Sequence, residues 1–280
     1  MRTSWDAGLF GLAVAVILIL VIIASASFAF LLSRPALARS LSSLPSNPWW
    51  LINRDPGPKD ATEPLSVIAA TLLATLLGLA FALRSHRLYR RARTPALPYL
   101  LLFFLSVGIE SLRGATGVLF ATDSTVQAAV TMTRIVYWGR FVGLFALLLS
   151  SIYCIELKYR HVYVMGGGSL LIALAIAASI PVDRTTFLAQ LTWKLADEQG
   201  VWFVDVVLVA LVIVTTIGAS ALKRDRRFLF LAGGFALLLA GRELLFFMVE
   251  PLPLAVGIAG LAVGAFACMR SLEGIYTTET

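Results

Sequence analysis

Residues 8–32, GLFGLAVAVILILVIIASASFAFLL, run for 25 positions without a charged side chain. A helix of that length rises about 38 Å, more than the roughly 30 Å hydrocarbon core of a bilayer. Similar apolar stretches, some interrupted by charged residues, recur at about 65–84, 97–121, 126–157, 162–181, 201–222, 228–250 and 254–270. In lipid every backbone N–H and C=O must be satisfied within the protein, which leaves helices as the fold for such repeated runs. The chain therefore reads as an all-α polytopic membrane bundle of about eight transmembrane helices. Its composition agrees: 14% of residues are charged, against about 25% in a soluble domain.

Residues 1–33 are read as an N-terminal transmembrane anchor. Ala24-Ser25-Ala26 resembles a signal-peptidase site, but the apolar run continues past it, and an uncleaved anchor is expected. Residues 34–63 contain Pro35, Pro45, Pro48, Pro56 and Pro58, which rule out one continuous helix, and Trp49-Trp50, which suits a membrane interface. This segment is expected outside. Residues 64–280 form a seven-helix membrane domain. Gly166-Gly167-Gly168 lacks the strand, lysine and hydroxyl of a phosphate loop and is read as loose backbone at the entrance of a span. A short surface helix is expected at 187–196, and Gly257, Gly260 and Gly264 predict close helix contact, within the chain or between copies.

The net charge of +7 is explained by topology and not by nucleic acid. The turns after the second, fourth and sixth spans hold five, two and four Lys or Arg, the first being the run Arg84 to Arg93. The other turns are acidic or mixed. This alternation puts both termini in the cytoplasm. Cys154 and Cys268 fall inside spans and are read as packing residues, while His86 and His161 lie in or beside loops, which argues against buried haem ligation. There is no His-Glu-x-x-His, no pair of aspartates at helical spacing and no His/Cys cluster. Ser106 and Ser111 have no histidine within reach by sequence. The chain is thus not expected to be an enzyme, and no catalytic residue, metal site or cofactor is expected.

Ionisable groups inside spans are costly and face partners or wet cavities. At 1.5 Å per residue, Glu110 lies roughly 20 Å from the inner face with Arg113 beyond it, Arg134 about 12 Å below the outer face, and Arg242 and Glu243 again about 20 Å up from inside. Asp205 falls near the outer rim, as does Glu250. Arg140 lies deeper than the rest. Arg134 and Arg140 are about 120° apart around their helix, so the fourth span must be protein-lined on a broad side, as a central helix would be. Two readings follow. In one, Glu110, Asp205 and Glu243 pair with Arg113, Arg134 and Arg242 and lock the order of the helices. In the other, the same groups form an outward-opening pocket, with arginine forks for an external small anionic or polar ligand and Tyr137, Trp138 and Phe141 as walls.

Several features are similar to the seven-transmembrane sensor modules at the N-termini of bacterial histidine kinases and diguanylate cyclases. They are Arg90-Arg-Ala-Arg-Thr-Pro95 before a span, Arg134-x-x-Tyr137-x-Gly139 one span later, an exit at Glu156-x-Lys-Tyr159, and the end Arg270-Ser-Leu-Glu-Gly-Ile-Tyr276. The resemblance covers residues 65–276 in topology and about 60 residues in motif. It implies a sensor or receptor in signal transduction, in a bacterial inner membrane. Such modules feed a cytoplasmic kinase or cyclase, whereas about ten residues follow the last span here, so output would pass to a separate cytoplasmic or membrane partner. The alternatives are a small-anion or proton-coupled transporter or channel, and a scaffold subunit of a larger complex.

Overall fold

The computed structural model describes residues 2–45, 63–92, 94–154 and 162–276. Trp49-Trp50, the Glu156–Tyr159 exit and His161 lie outside the described residues. Eight helical crossings are long and apolar enough to span a membrane, in agreement with the all-α polytopic reading. They are α1 (Arg2–Ser33), α3 (Glu63–Ala92), α4 (Ala96–Glu110) continued by α5 (Arg113–Ala121), α6 (Val126–Tyr153), α7 (Val162–Ser179), α8 (Glu198–Lys223), α9 (Arg227–Phe247) and α10 (Pro251–Tyr276). A short α2 (Pro35–Ser42) follows α1, with Pro35 in its first turn, where a missing N–H goes unused. The basic residues Arg84 to Arg91 are the last turns of α3 and not a loop, and Gly166–Gly168 are helical in α7.

Successive crossings alternate in direction. Phe10 stacks on Tyr89 at one end of the α1–α3 pair, while Ser27 and Ile68 meet around Gly114 at the other. Ser150 Oγ donates to the Ala96 carbonyl and Ser106 approaches Gly143, so α4 and α6 are antiparallel. Tyr99 Oη donates to Val162 O and Trp138 Nε1 to Leu170 O, which sets α7 antiparallel to α6. The Arg140–Asp205 and Ser151–Thr215 contacts set α8 parallel to α6. One end of the bundle therefore carries Arg84, Arg87, Lys223 to Arg227 and Arg270, and is called the basic end below. The other, the hairpin end, carries α2, the α5–α6 turn and residues 180–200.

The α4–α5 and α6 pair lies at the centre. Of their apolar windows 78% and 72% is buried, against 28%, 22% and 28% for α1, α7 and α8. That bears out the expectation that the fourth span is lined by protein. On the periphery α9 and α10 meet backbone to backbone. A Cβ at Gly241 would lie 2.6 Å from Gly257 O, and one at Gly234 would lie 2.7 Å from Cys268 Sγ. The glycine spacing on α10 thus serves contact within the chain, and Cys268 is part of that packing.

The expected surface helix at 187–196 is instead a β-hairpin. Strand β1 (Val182–Phe187) pairs antiparallel with β2 (Trp193–Leu195), with Val182 opposite Leu195 and Phe187 opposite Trp193. The local chemistry is that of a strand: Trp193 and Leu195 are buried with Lys194 between them, a period of two, and Thr185-Thr186-Phe187 is β-branched and aromatic. The loop reverses at Leu191, at φ 63°, a conformation uncommon for a leucine. Leu191 is fully buried against Gly117. Phe187 stacks on Phe120 at 4.1 Å, Ala189 N donates to Pro45 O at 2.9 Å, and Trp193 N donates to Thr133 Oγ1 at 3.2 Å. The hairpin is a plug seated on the bundle. At its exposed edge, hydrogen bonds from the Thr185 hydroxyl and N–H hold the Asp183 carboxyl below its ordinary range.

Candidate functional site

The central charges are ordered by helix direction. In a helix the Cα–Cβ bond tilts toward the N-terminus, so a long side chain covers the turn before it. Because α6 starts at the hairpin end, Arg140 leans up toward that end from its deep Cα position. Its Nε and Nη2 donate to Asp205 Oδ2 at 2.8 and 2.6 Å, and Nη2 also reaches Glu243 Oε2 at 2.6 Å. One guanidinium thus holds carboxylates from α8 and α9. Since α9 and α4 start at the basic end, Arg242 and Glu110 both lean that way and meet. Arg242 Nε donates to Glu110 Oε1 at 2.7 Å, and its Nη2 donates to that same oxygen and to Arg140 O. Gly143 makes the room: a Cβ there would lie 2.6 Å from Arg242 Nη1 and against Ser106 Oγ.

Arg113 makes no ion pair with a carboxylate among the described residues. Its Nη1 and Nη2 donate to Phe246 O at 2.9 Å and Leu245 O at 3.0 Å, and its Nε to Glu110 O at 3.2 Å. The first two are carbonyls of the last turn of α9, which have no partner inside the helix and carry the negative end of its dipole. Arg113 is placed there by a break in the third span. Ser111 N and Leu112 N donate to Gly108 O and Ile109 O, three residues back, so the chain tightens to 3₁₀ geometry between α4 and α5.

The expected pairing set is corrected accordingly. Glu110 pairs with Arg242, and Asp205 and Glu243 both pair with Arg140, the residue placed below the layer by a straight rise along the helix. Arg134 is half-buried, its Nε is buried without a hydrogen-bond partner, and it makes no ion pair among the described residues. Three arginines (113, 140 and 242) stand with three carboxylates (110, 205 and 243), so the formal charges of the layer sum to zero. Breaking one member of such a set leaves an uncompensated buried charge.

Phe246 and Phe247 hold the cluster together. Arg113 and Arg140 lie 4.8 and 4.4 Å from the Phe246 ring centroid, Arg140 lies 4.8 Å from that of Phe247, and Tyr137 meets Phe246 edge-on at 5.4 Å. The sequence reading passed over both rings. Their signal is spacing, since they sit four residues after Arg242 and Glu243 and so share their faces of α9.

Between this layer and the hairpin plug is a cavity of about 30 Å³, room for one or two water molecules. Asp205, Tyr137, Glu198, Trp202, Gln190 and Phe247 line it, with hairpin residues Leu188, Thr192 and Leu195. Asp205 Oδ1 and Gln190 Oε1 are buried acceptors with no hydrogen-bond donor among the described residues. Trp138 is not a wall, because its indole faces α7 through the bond to Leu170 O. Phe141 is fully buried elsewhere in the core.

Comparison with known protein families, with characterised proteins and with solved structures finds no match for this chain. The geometry has to carry the functional reading. Of the expected site residues, Tyr137 and Asp205 line the cavity. Arg140 and Glu243 join it through Asp205 and Phe247, and Glu110, Arg113 and Arg242 form the layer beneath. Gln190 and Glu198 are additions that only the hairpin and the start of α8 bring in.

Proposed function

We propose that this chain is a multi-pass membrane sensor that binds a small polar ligand beneath the hairpin plug and signals through a separate partner. The observation that carries the reading is Asp205: it lines the cavity with one unpartnered oxygen and shares Arg140 with Glu243 through the other. A donor group placed on Asp205 would weaken its hold on Arg140 and leave the guanidinium to Glu243, changing the coupling of α8 to α9. A ligand acts as a signal only if it binds two such states differently. The acceptors on the cavity favour a hydroxyl- or amine-bearing ligand over an anion, because Arg140 and Arg242 are already engaged by carboxylates.

Below the layer, toward the basic end, the core is filled by Phe103, Leu147, Val212, Phe235 and Leu238, which favours binding over a transport route. The resemblance to bacterial sensor modules supports the same reading. By the positive-inside rule, the basic end with both termini faces the cytoplasm of a bacterial inner membrane and the hairpin faces out. The test is thermal unfolding of the protein in nanodiscs against a panel of the smallest amines and alcohols, such as ammonium, methylamine and methanol, which match a cavity of about 30 Å³. A hit is expected to stabilise wild type and to lose its effect in Asp205→Asn and Gln190→Ala. Hits that stabilise both variants as much as wild type would refute the site.

A further inference from the structure

A second site lies at the basic end, far from the charged layer. An open groove of about 660 Å³ runs between the start of α9 and the end of α10, lined by Arg227, Phe230, Phe266, Arg270, Ser271 and Glu273. Its rings face the lipid: Phe230 is 72% and Phe266 54% exposed. From α3, Arg84 reaches over the Phe266 ring at 5.4 Å. Arg227 donates to Gly274 O and ties the two helices together at the rim.

Depth separates the two chemistries. Phe230 is three residues inside Arg227, and Phe266 is four residues inside Arg270, so each phenylalanine is attached about 4.5–6 Å deeper in the membrane than its arginine. The Arg227 and Arg270 positions then stand nearer the headgroups and the rings at the first carbons of the acyl chains, while the Arg84 guanidinium lies over the Phe266 ring, where the two levels meet. Three arginines against one glutamate give the rim a net charge of +2. Arg270 and Glu273 are 4.0 Å apart, and the Arg270 side chain is 76% exposed, so that pairing is loose. Planar guanidinium forks suit phosphate oxygens, and a cationic rim disfavours the ammonium of a zwitterionic headgroup.

We propose that this groove is a binding site for an anionic phospholipid, with its phosphate at Arg84 and Arg270 and an acyl chain against Phe230 and Phe266. The experiment is native mass spectrometry of the full-length, delipidated protein titrated with phosphatidylglycerol or with phosphatidylcholine of the same acyl chains. Wild type is expected to hold phosphatidylglycerol at least tenfold more tightly. Each arginine near the surface is worth about fivefold, so Arg84→Gln/Arg270→Gln should lose about 25-fold and fall to parity between the lipids. Arg270→Gln alone, which removes only an exposed group, should lose about fivefold. Arg39→Gln, at the hairpin end, should keep the full preference. Parity in wild type overturns the proposal, as does a double variant that keeps the preference or an Arg39→Gln variant that loses it equally. Competition by glycerol phosphate as strong as that by the lipid would identify a free-phosphate site and overturn it too.

Discussion

Replacing Arg140 by methionine keeps most of the stem that packs between Phe246 and Phe247 but removes the cation. Asp205 and Glu243 then face each other without the cation they share, one 4% exposed as a residue and the other with a side chain 22% exposed. Breaking a buried pair from one side costs about 3–5 kcal/mol, most of it the charge left behind. An ordinary interhelical hydrogen bond in a membrane protein contributes only about 0.6 kcal/mol, because the unfolded chain in the bilayer also finds partners. The two magnitudes separate the ideas cleanly. Unfolding in mixed micelles of increasing sodium dodecyl sulfate, followed by circular dichroism, should show Arg140→Met less stable by at least 3 kcal/mol. Arg140→Met/Asp205→Asn/Glu243→Gln should recover at least half of that loss, since the stranded charges are gone. A loss near 0.6 kcal/mol for the single variant, or a triple variant no more stable than the single, would show that the layer is not held by charge compensation.

Three further outcomes follow from the packing. Gly143→Ala pushes a methyl into Arg242 and Ser106 and should cost about 1–3 kcal/mol in the same assay, part of it recovered by adding Ser106→Ala. Gly241→Ala meets the backbone of Gly257 and Leu261 and should lower the thermal midpoint clearly, while Gly233→Ala on the same helix, with open space around it, should leave it unchanged or raised. Arg134→Gln should change stability by less than about 0.5 kcal/mol, because Arg134 stands half-buried outside the charged layer; a loss as large as that of Arg140→Met would place it back in the network.

Much of the fold was legible because lipid imposes a single rule. Each of the eight apolar runs coincides with a helix, although α3 and α10 continue six to eight residues past the ends expected from apolar length, and the angular spread of Arg134 and Arg140 identified α6 as central. The hairpin escaped for a physical reason. Residues 182–195 are short and mixed in charge, and their preference for a strand is realised only by burying Phe187, Leu191 and Trp193 on Phe120, Gly117 and Thr133, contacts distant in sequence.

The charged layer divides in the same way. Sequence alone determined that Glu110, Arg113, Arg140, Asp205, Arg242 and Glu243 could not face lipid and had to meet one another or a wet space, since an isolated charge in hydrocarbon is too costly. It also placed all of them but Arg140 at similar depths. Which arginine met which carboxylate was decided only by tertiary structure. Depth counted along an axis ignores the tilt of each side chain toward its own N-terminus, and that tilt reverses between neighbouring antiparallel helices. It lifts Arg140 onto Asp205 and Glu243 and lowers Arg242 onto Glu110, while Arg134 makes no ion pair among the described residues. The break at Ser111-Leu112 then turns Arg113 from an expected ion pair into the cap of α9.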